Sequence, residues 1–239
     1  MTPPAARIAV GDHDRVARVF TTRLLHMALL AWLFASAPAS GAPPLADVHV
    51  HYKWSQKEVT AAQQAIGILR DNDIALAVVI GTPAEYALEL ARLAPQTIVP
   101  IWSPYREPAD WSRWAHDRKV LERARAALAS GDYRGIGELH LIGGFAPDWR
   151  TPVIGGLLEL AQEYREPLLL QTDLRTPEYV TGLFRANPEA RILWAHAVDI
   201  LSAGQVGAVM AACPGESAEL SARDPRRVVN TPNTDRDGK

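Results

Sequence analysis

The 239-residue sequence has a single cysteine, Cys213, and so cannot close an internal disulfide. No nucleophile motif surrounds that thiol, and it reads as a small buried hydrophobe. Neither sign of charge is in excess. The 25 Lys and Arg against 27 Asp and Glu leave a formal net charge of −2. No basic cluster is dense enough to track phosphates, which excludes nucleic acid as a partner. No apolar run reaches the roughly 20 residues of a membrane-spanning helix, so no stable membrane span is expected. Repeats, low-complexity stretches and a second-domain boundary are also missing. What is present, 48% hydrophobic residues, suffices for a globular core.

The N-terminus carries a targeting pattern. Arg15, Arg18 and Arg23 precede the apolar run Leu24 to Phe34, and small residues in A-x-A spacing follow from Ala35 to Ala42. This order is that of a secretory signal, with cleavage expected after Ala39 or Ala42 and Met27 as an alternative start. A secreted or periplasmic location follows as an expectation. The chain then divides into a signal and extension (1–42), a folded domain (43–229) and a polar tail (230–239).

From Leu45 onward short apolar runs alternate with stretches of 3.6-residue spacing. Strands are predicted at 45–50, 74–80, 97–102, 135–141, 167–172, 190–195 and 217–221. Helices are predicted at 59–70, 85–93, 117–130, 153–164, 177–186 and 202–212. Strands alternating with helices imply parallel βαβ units. Continuous apolar runs suit strands covered on both faces. The fold class is therefore α/β, a (β/α) TIM-like barrel, incomplete with about seven recognisable strands. An open barrel leaves strand edges that a second copy could cover, so a homo-oligomer is a candidate partner state.

Three strand ends carry chemistry. Asp47-Val48-His49-Val50-His51 closes the first strand. Side chains alternate along a strand, so His49 and His51 project to one side and can grip one divalent metal. Asp47 shares their parity and could hold an imidazole proton. Gly135-Ile136-Gly137-Glu138-Leu139-His140 forms the fourth strand, and its glycines suggest close backbone approach. Glu138 could bind metal or move protons. His140 shares its face and is expected at or beyond the rim. His196, after the apolar run of the sixth strand, could bind metal or act as general acid or base. Trp102, Tyr105, Trp111, Trp114 and Trp149 fall in or near the loops after strands. They more often pack such loops than touch substrate.

Together these residues resemble the amidohydrolase superfamily of metal-dependent hydrolases, over about Ala46 to Ala222. The motif Asp47-Val48-His49-Val50-His51 is the most specific; Gly135-Ile136-Gly137-Glu138 and Leu193-Trp194-Ala195-His196 follow in the expected order. The resemblance implies a (β/α)₈ barrel and one or two divalent metals. It also implies a metal-activated water that attacks an amide, ester, lactone or related centre of a small-molecule substrate. By that likeness His49, His51, Glu138 and His196 are metal ligands, with His196 and Glu138 the catalytic candidates. Zinc is the expected ion and manganese the alternative. Two positions depart from the family. The fifth strand ends in Gln171 where the family has His, and an amide is a poor zinc ligand beside imidazole. The eighth-strand Asp that takes the proton from water is missing: Asp224, Asp235 and Asp237 follow no apolar run, and the chain looks C-terminally truncated. The expectation is thus a hydrolase that binds metal weakly and turns over slowly. The alternatives are a non-catalytic remnant or binding protein, and a decarboxylase of the same fold.

Overall fold

Seven short parallel strands and their connecting helices follow the alternation of the sequence. The computed structural model describes residues 44–197 and 200–221. The proposed signal segment, the tail and Asp224, Asp235 and Asp237 lie outside the described residues. The strands are β1 (Leu45–Lys53), β2 (Ile74–Thr82), β3 (Ile98–Ile101), β4 (Ile136–His140), β5 (Leu168–Gln171), β6 (Ile192–Ala195) and β7 (Ser217–Ala218). They form two parallel sheets in the orders β1-β2-β3 and β4-β5-β6-β7. A parallel bridge between Trp102 and Ile136 joins the sheets. There the Trp102 N–H donates to Gly135 O at 3.0 Å, and the Gly137 N–H donates to Trp102 O at 2.8 Å. Among the described residues, the outer edges of this array are β1 and β7.

The connecting helices are α1 (Trp54–Lys57), α2 (Ala62–Asp71), α3 (Glu85–Leu93), α4 (Asp110–Arg113), α5 (Lys119–Ser130), α6 (Pro152–Tyr164), α7 (Pro177–Ala186) and α8 (Ala203–Ala212), with a 3₁₀ turn at Trp114–His116. Proline opens α6 and α7 at the first turn, where a missing N–H costs nothing. Gly131, at φ +72°, ends α5 in the left-handed conformation. The predicted helix over 59–70 starts later. β1 runs on to Lys53, and the Gln64 side chain accepts from the Ala61 N–H at 2.9 Å to open α2 at Ala62. No helix among the described residues is long and apolar enough to cross a membrane.

Strand parity sorts the core into layers. Ile80 and Ala195 pack with Ile101 and Leu169 in one small cluster, supported by Val78 and Leu193. The alternate residues Ala77, Val79, Leu168, Leu170, Ile192 and Trp194 pack instead in the larger clusters that include the helices. This division is what a strand array filled on its inside and covered by helices on its outside requires. On β1, Val50 and Tyr52 belong to a helix-side cluster. His49 and His51, of opposite parity, therefore face inward.

Candidate metal centre

The inward side chains at the C-terminal strand ends converge on one carboxylate. Glu138 is 2% exposed. Its Oε2 lies 3.4 Å from His49 Nε2, 3.1 Å from His51 Nε2 and 3.3 Å from His140 Nε2. Its Oε1 lies 3.4 Å from His196 Nε2. The His49 and His51 Nε2 atoms are themselves 3.0 Å apart. The four residues expected to meet are thus brought together, and His140 joins them. Its predicted position at or beyond the rim is not found. At 8% exposure it is buried, because the Tyr105 hydroxyl bonds its Nδ1 at 2.6 Å and accepts from its backbone N–H at 3.2 Å.

Backbone geometry sets these positions. Gly137 adopts φ +147°, and a Cβ there would lie 2.6 Å from Leu169 O and 2.8 Å from Leu169 Cβ. Only glycine lets β4 approach β5 this closely, just before Glu138. His196 and Ala197 turn the chain at the end of β6 with φ of +59° and +39°. Such conformations are costly for residues with a Cβ and persist where surroundings impose them.

Part of the surroundings is Glu219, which follows β7 and which no sequence motif marks. Its Oε1 accepts from the His196 backbone N–H at 2.5 Å and lies 2.9 Å from His49 Nδ1. The same oxygen lies 3.3 Å from His196 Nδ1, and Oε2 accepts from the Ser221 N–H at 2.7 Å. His196 Nδ1 also lies 2.9 Å from Ser221 Oγ. Asp47 does not hold an imidazole proton as expected: its Oδ1 accepts from the His49 backbone N–H at 3.1 Å. The His49 ring turns instead to Glu219.

The charges follow from this packing. Burial would push the Glu138 carboxyl up, but the surrounding imidazoles, His140 foremost, hold it well below the usual carboxylate range. Burial likewise opposes ionisation of Glu219, yet His49 and Ser221 hold it down at about 2. Burial lowers the His49 pKa, and the hydrogen bonds and charges of Glu138 and Glu219 override this and raise it to about 9. His196 is raised by its contact with Glu138.

These donors suit a cation. His49, Glu138 and His196 each offer a ligand atom, and the three atoms lie within 4.8 Å of one another. Among the described residues, Glu138 Oε1 is buried without a partner in hydrogen-bonding geometry. Two imidazole nitrogens facing each other at 3.0 Å need a proton or a metal between them, since bare lone pairs repel. Gln171 ends β5 with Leu169 parity, and its Nε2 donates to Asp173 Oδ2 at 2.5 Å.

Among the described residues, the fold is a TIM-like parallel (β/α) array of seven strands, not closed by a ladder, with a His–carboxylate cluster that could hold a metal ion. Two solved structures, one of them titled a TIM-barrel protein, share the fold at TM-scores above 0.5. A probable 2-pyrone-4,6-dicarboxylic acid hydrolase from Acinetobacter baumannii aligns at TM-score 0.53 and 13% identity, over 78% of this chain and 75% of that one. An uncharacterized TIM-barrel protein from Bordetella bronchiseptica aligns at TM-score 0.51 and 12% identity, over 70% of this chain and 61% of that one. A dihydroxybenzoic acid decarboxylase from Polaromonas sp. JS666, with bound manganese, aligns at TM-score 0.42 and 10% identity, over 69% and 67%. No family model matches the sequence, and no curated protein matches it in sequence.

Proposed function

We propose that this chain is a metal-dependent hydrolase acting on an ester, lactone, amide or related bond of a small molecule. The observation that carries the reading is the buried Glu138 carboxylate, with Oε1 lacking a hydrogen-bond partner among the described residues and ligand nitrogens of His49 and His196 close by. His49, Glu138 and His196 would hold the ion, with His51 as a further ligand. Zinc fits the imidazole-rich donor set, and manganese is the alternative. A divalent ion held there supplies Lewis-acid polarisation of a carbonyl and acidifies a water.

The residues divide the remaining work. Glu138 is held ionised, so it serves as ligand and charge and not as an acid. His49 is bound at both ring nitrogens and cannot carry protons freely. His196 is the more open of the two imidazoles, with its side chain 20% exposed against 3% for His49. With Nε2 turned to the ion, its Nδ1 is the nitrogen left to exchange a proton, with Ser221 Oγ beside it. The signal pattern of residues 1–42 supports secretion or export to the periplasm as part of the same proposal.

The test is metal analysis of the purified chain, followed by ester, lactone and amide substrates with zinc or manganese added. About one equivalent of metal and metal-dependent hydrolysis are expected. Carbon dioxide release from aromatic carboxylates without hydrolysis would replace the hydrolase with a decarboxylase. No metal uptake would overturn the reading.

A further inference from the structure

The second carboxylate of the site is not on the strands that bear the imidazoles. Glu219 sits at the β7 edge of the strand array, and His49 lies on β1 at the opposite edge. Among the described residues no backbone ladder joins those edges. The Glu219 N–H donates to Trp194 O at 3.0 Å, which extends the β6–β7 pairing by one residue and fixes where the side chain leaves the backbone. The side chain is 7% exposed. From there one oxygen, Oε1, meets both His49 Nδ1 and the His196 backbone N–H, while Oε2 takes the Ser221 N–H.

We propose that Glu219 is the positioning residue of this site, orienting His49 through its Nδ1–H and holding the His196 turn with the same carboxylate. The inference rests on the metal reading above. An imidazole that donates Nδ1–H to a carboxylate must present Nε2 on its other side, and a charged acceptor makes that nitrogen a better ligand. His49 Nε2 indeed faces Glu138 and His51. A ring lacking this partner is free to turn about its Cβ–Cγ bond and remove Nε2 from the cluster. The bond to the His196 N–H acts at a residue in a sparsely populated backbone conformation, where an added acceptor offsets part of the strain. A carboxylate that only tied down a strand end would need one of these contacts; Glu219 makes them to two ligand residues on different strands.

The test uses the full chain with Glu219→Gln and Glu219→Ala, and two readouts. The first is the ¹H–¹⁵N resonance of the His49 ring Nδ1–H in chelator-treated protein. The second is calorimetric titration with Zn²⁺ alone. The Glu219→Ala variant is expected to lose the protected Nδ1–H resonance and to bind zinc about 10–100-fold more weakly. The Glu219→Gln variant, which keeps an acceptor without its charge, is expected to retain the resonance, shifted upfield, and to lose less affinity. Persistence of the unshifted resonance in both variants, or equal zinc affinity in all three proteins, overturns the proposal. Should Glu219→Ala fail to fold, the Glu219→Gln shift decides alone: an unmoved resonance overturns it. Should the unmodified chain bind no zinc, the metal reading fails, while the resonance still decides whether Glu219 orients His49.

Discussion

Raising the pH from 6 to 9 is expected to destabilise the metal-free protein, and the size follows from His49. Its pKa stands at about 9 in the folded chain against an ordinary value of 6.5, because Glu138 and Glu219 outweigh its burial. A group whose folded pKa is raised contributes stability that is complete below the unfolded value and is lost as pH rises through the folded value. The window is therefore about pH 6.5 to 9. At 1.36 kcal/mol per unit, the shift corresponds to about 3 kcal/mol. That is a large share of the roughly 5–15 kcal/mol that holds a domain folded. His196 is raised too, so it acts in the same direction. Glu138 and Glu219 are shifted down, so their contributions are complete throughout this window and do not change across it. The assay is urea denaturation with chelator at pH 6, 7.5 and 9, for the unmodified chain and for His49→Asn. The variant removes the His49 titration and keeps the rest, including ionisation of the Cys213 thiol in the unfolded chain. A fall of a few kcal/mol that shrinks in His49→Asn is expected. Zinc should reverse the sign, because protons leave the ligands as it binds. Equal stability at pH 6 and 9, or an equal fall in His49→Asn, would refute the reasoning.

Glu138→Gln should abolish zinc binding by calorimetry and cost about 3–5 kcal/mol in metal-free denaturation, since it removes one partner of the buried His49–Glu138 pair. Gly137→Ala should cost about 3 kcal/mol or more, because its Cβ would meet Leu169 O and Cβ well inside contact distance at a positive φ; unchanged stability would show that β4 can move away from β5. Gln171→His should tighten zinc binding on the order of tenfold, a typical contribution of one group at a metal site, whereas Gln171→Ala should not. Equal zinc affinity in Gln171→His and the unmodified chain would place that position outside the ion's reach.

The alternation is legible because short apolar runs differ from 3.6-residue spacing, and the longer helices between Glu85 and Ala186 carry that spacing. What escapes prediction is short or irregular. The helices Trp54–Lys57 and Asp110–Arg113 are single turns with no period to read. The first strand, predicted to end at Val50, runs to Lys53, since Tyr52 packs on the helix side in strand parity although polar residues surround it. Asp47 shows the limit of parity arguments. It shares a face with His49 and His51, but its short side chain bonds the adjacent backbone N–H instead of reaching a ring.

At the site, parity is enough for His49, His51 and Glu138, because strand ends in a parallel array fix direction. It is not enough for the carboxylate that completes them. The family resemblance implies an aspartate following an apolar run. Glu219 follows only Ser217 and Ala218, two small residues with no apolar pattern, and lies beside Leu220 and Ser221. Its place in the site is set by tertiary structure. The β6–β7 pairing brings position 219 level with the turn at His196, and the curvature of the strand array brings both within reach of His49. A carboxylate so fully engaged is a weak proton acceptor, and at about 2 its pKa says the same. On the function proposed above, Glu219 orders the imidazoles and does not itself accept a proton. On that reading, anion and geometry come from Glu138 and Glu219, and the partly open His196, with a hydroxyl beside its Nδ1, is left to carry the proton.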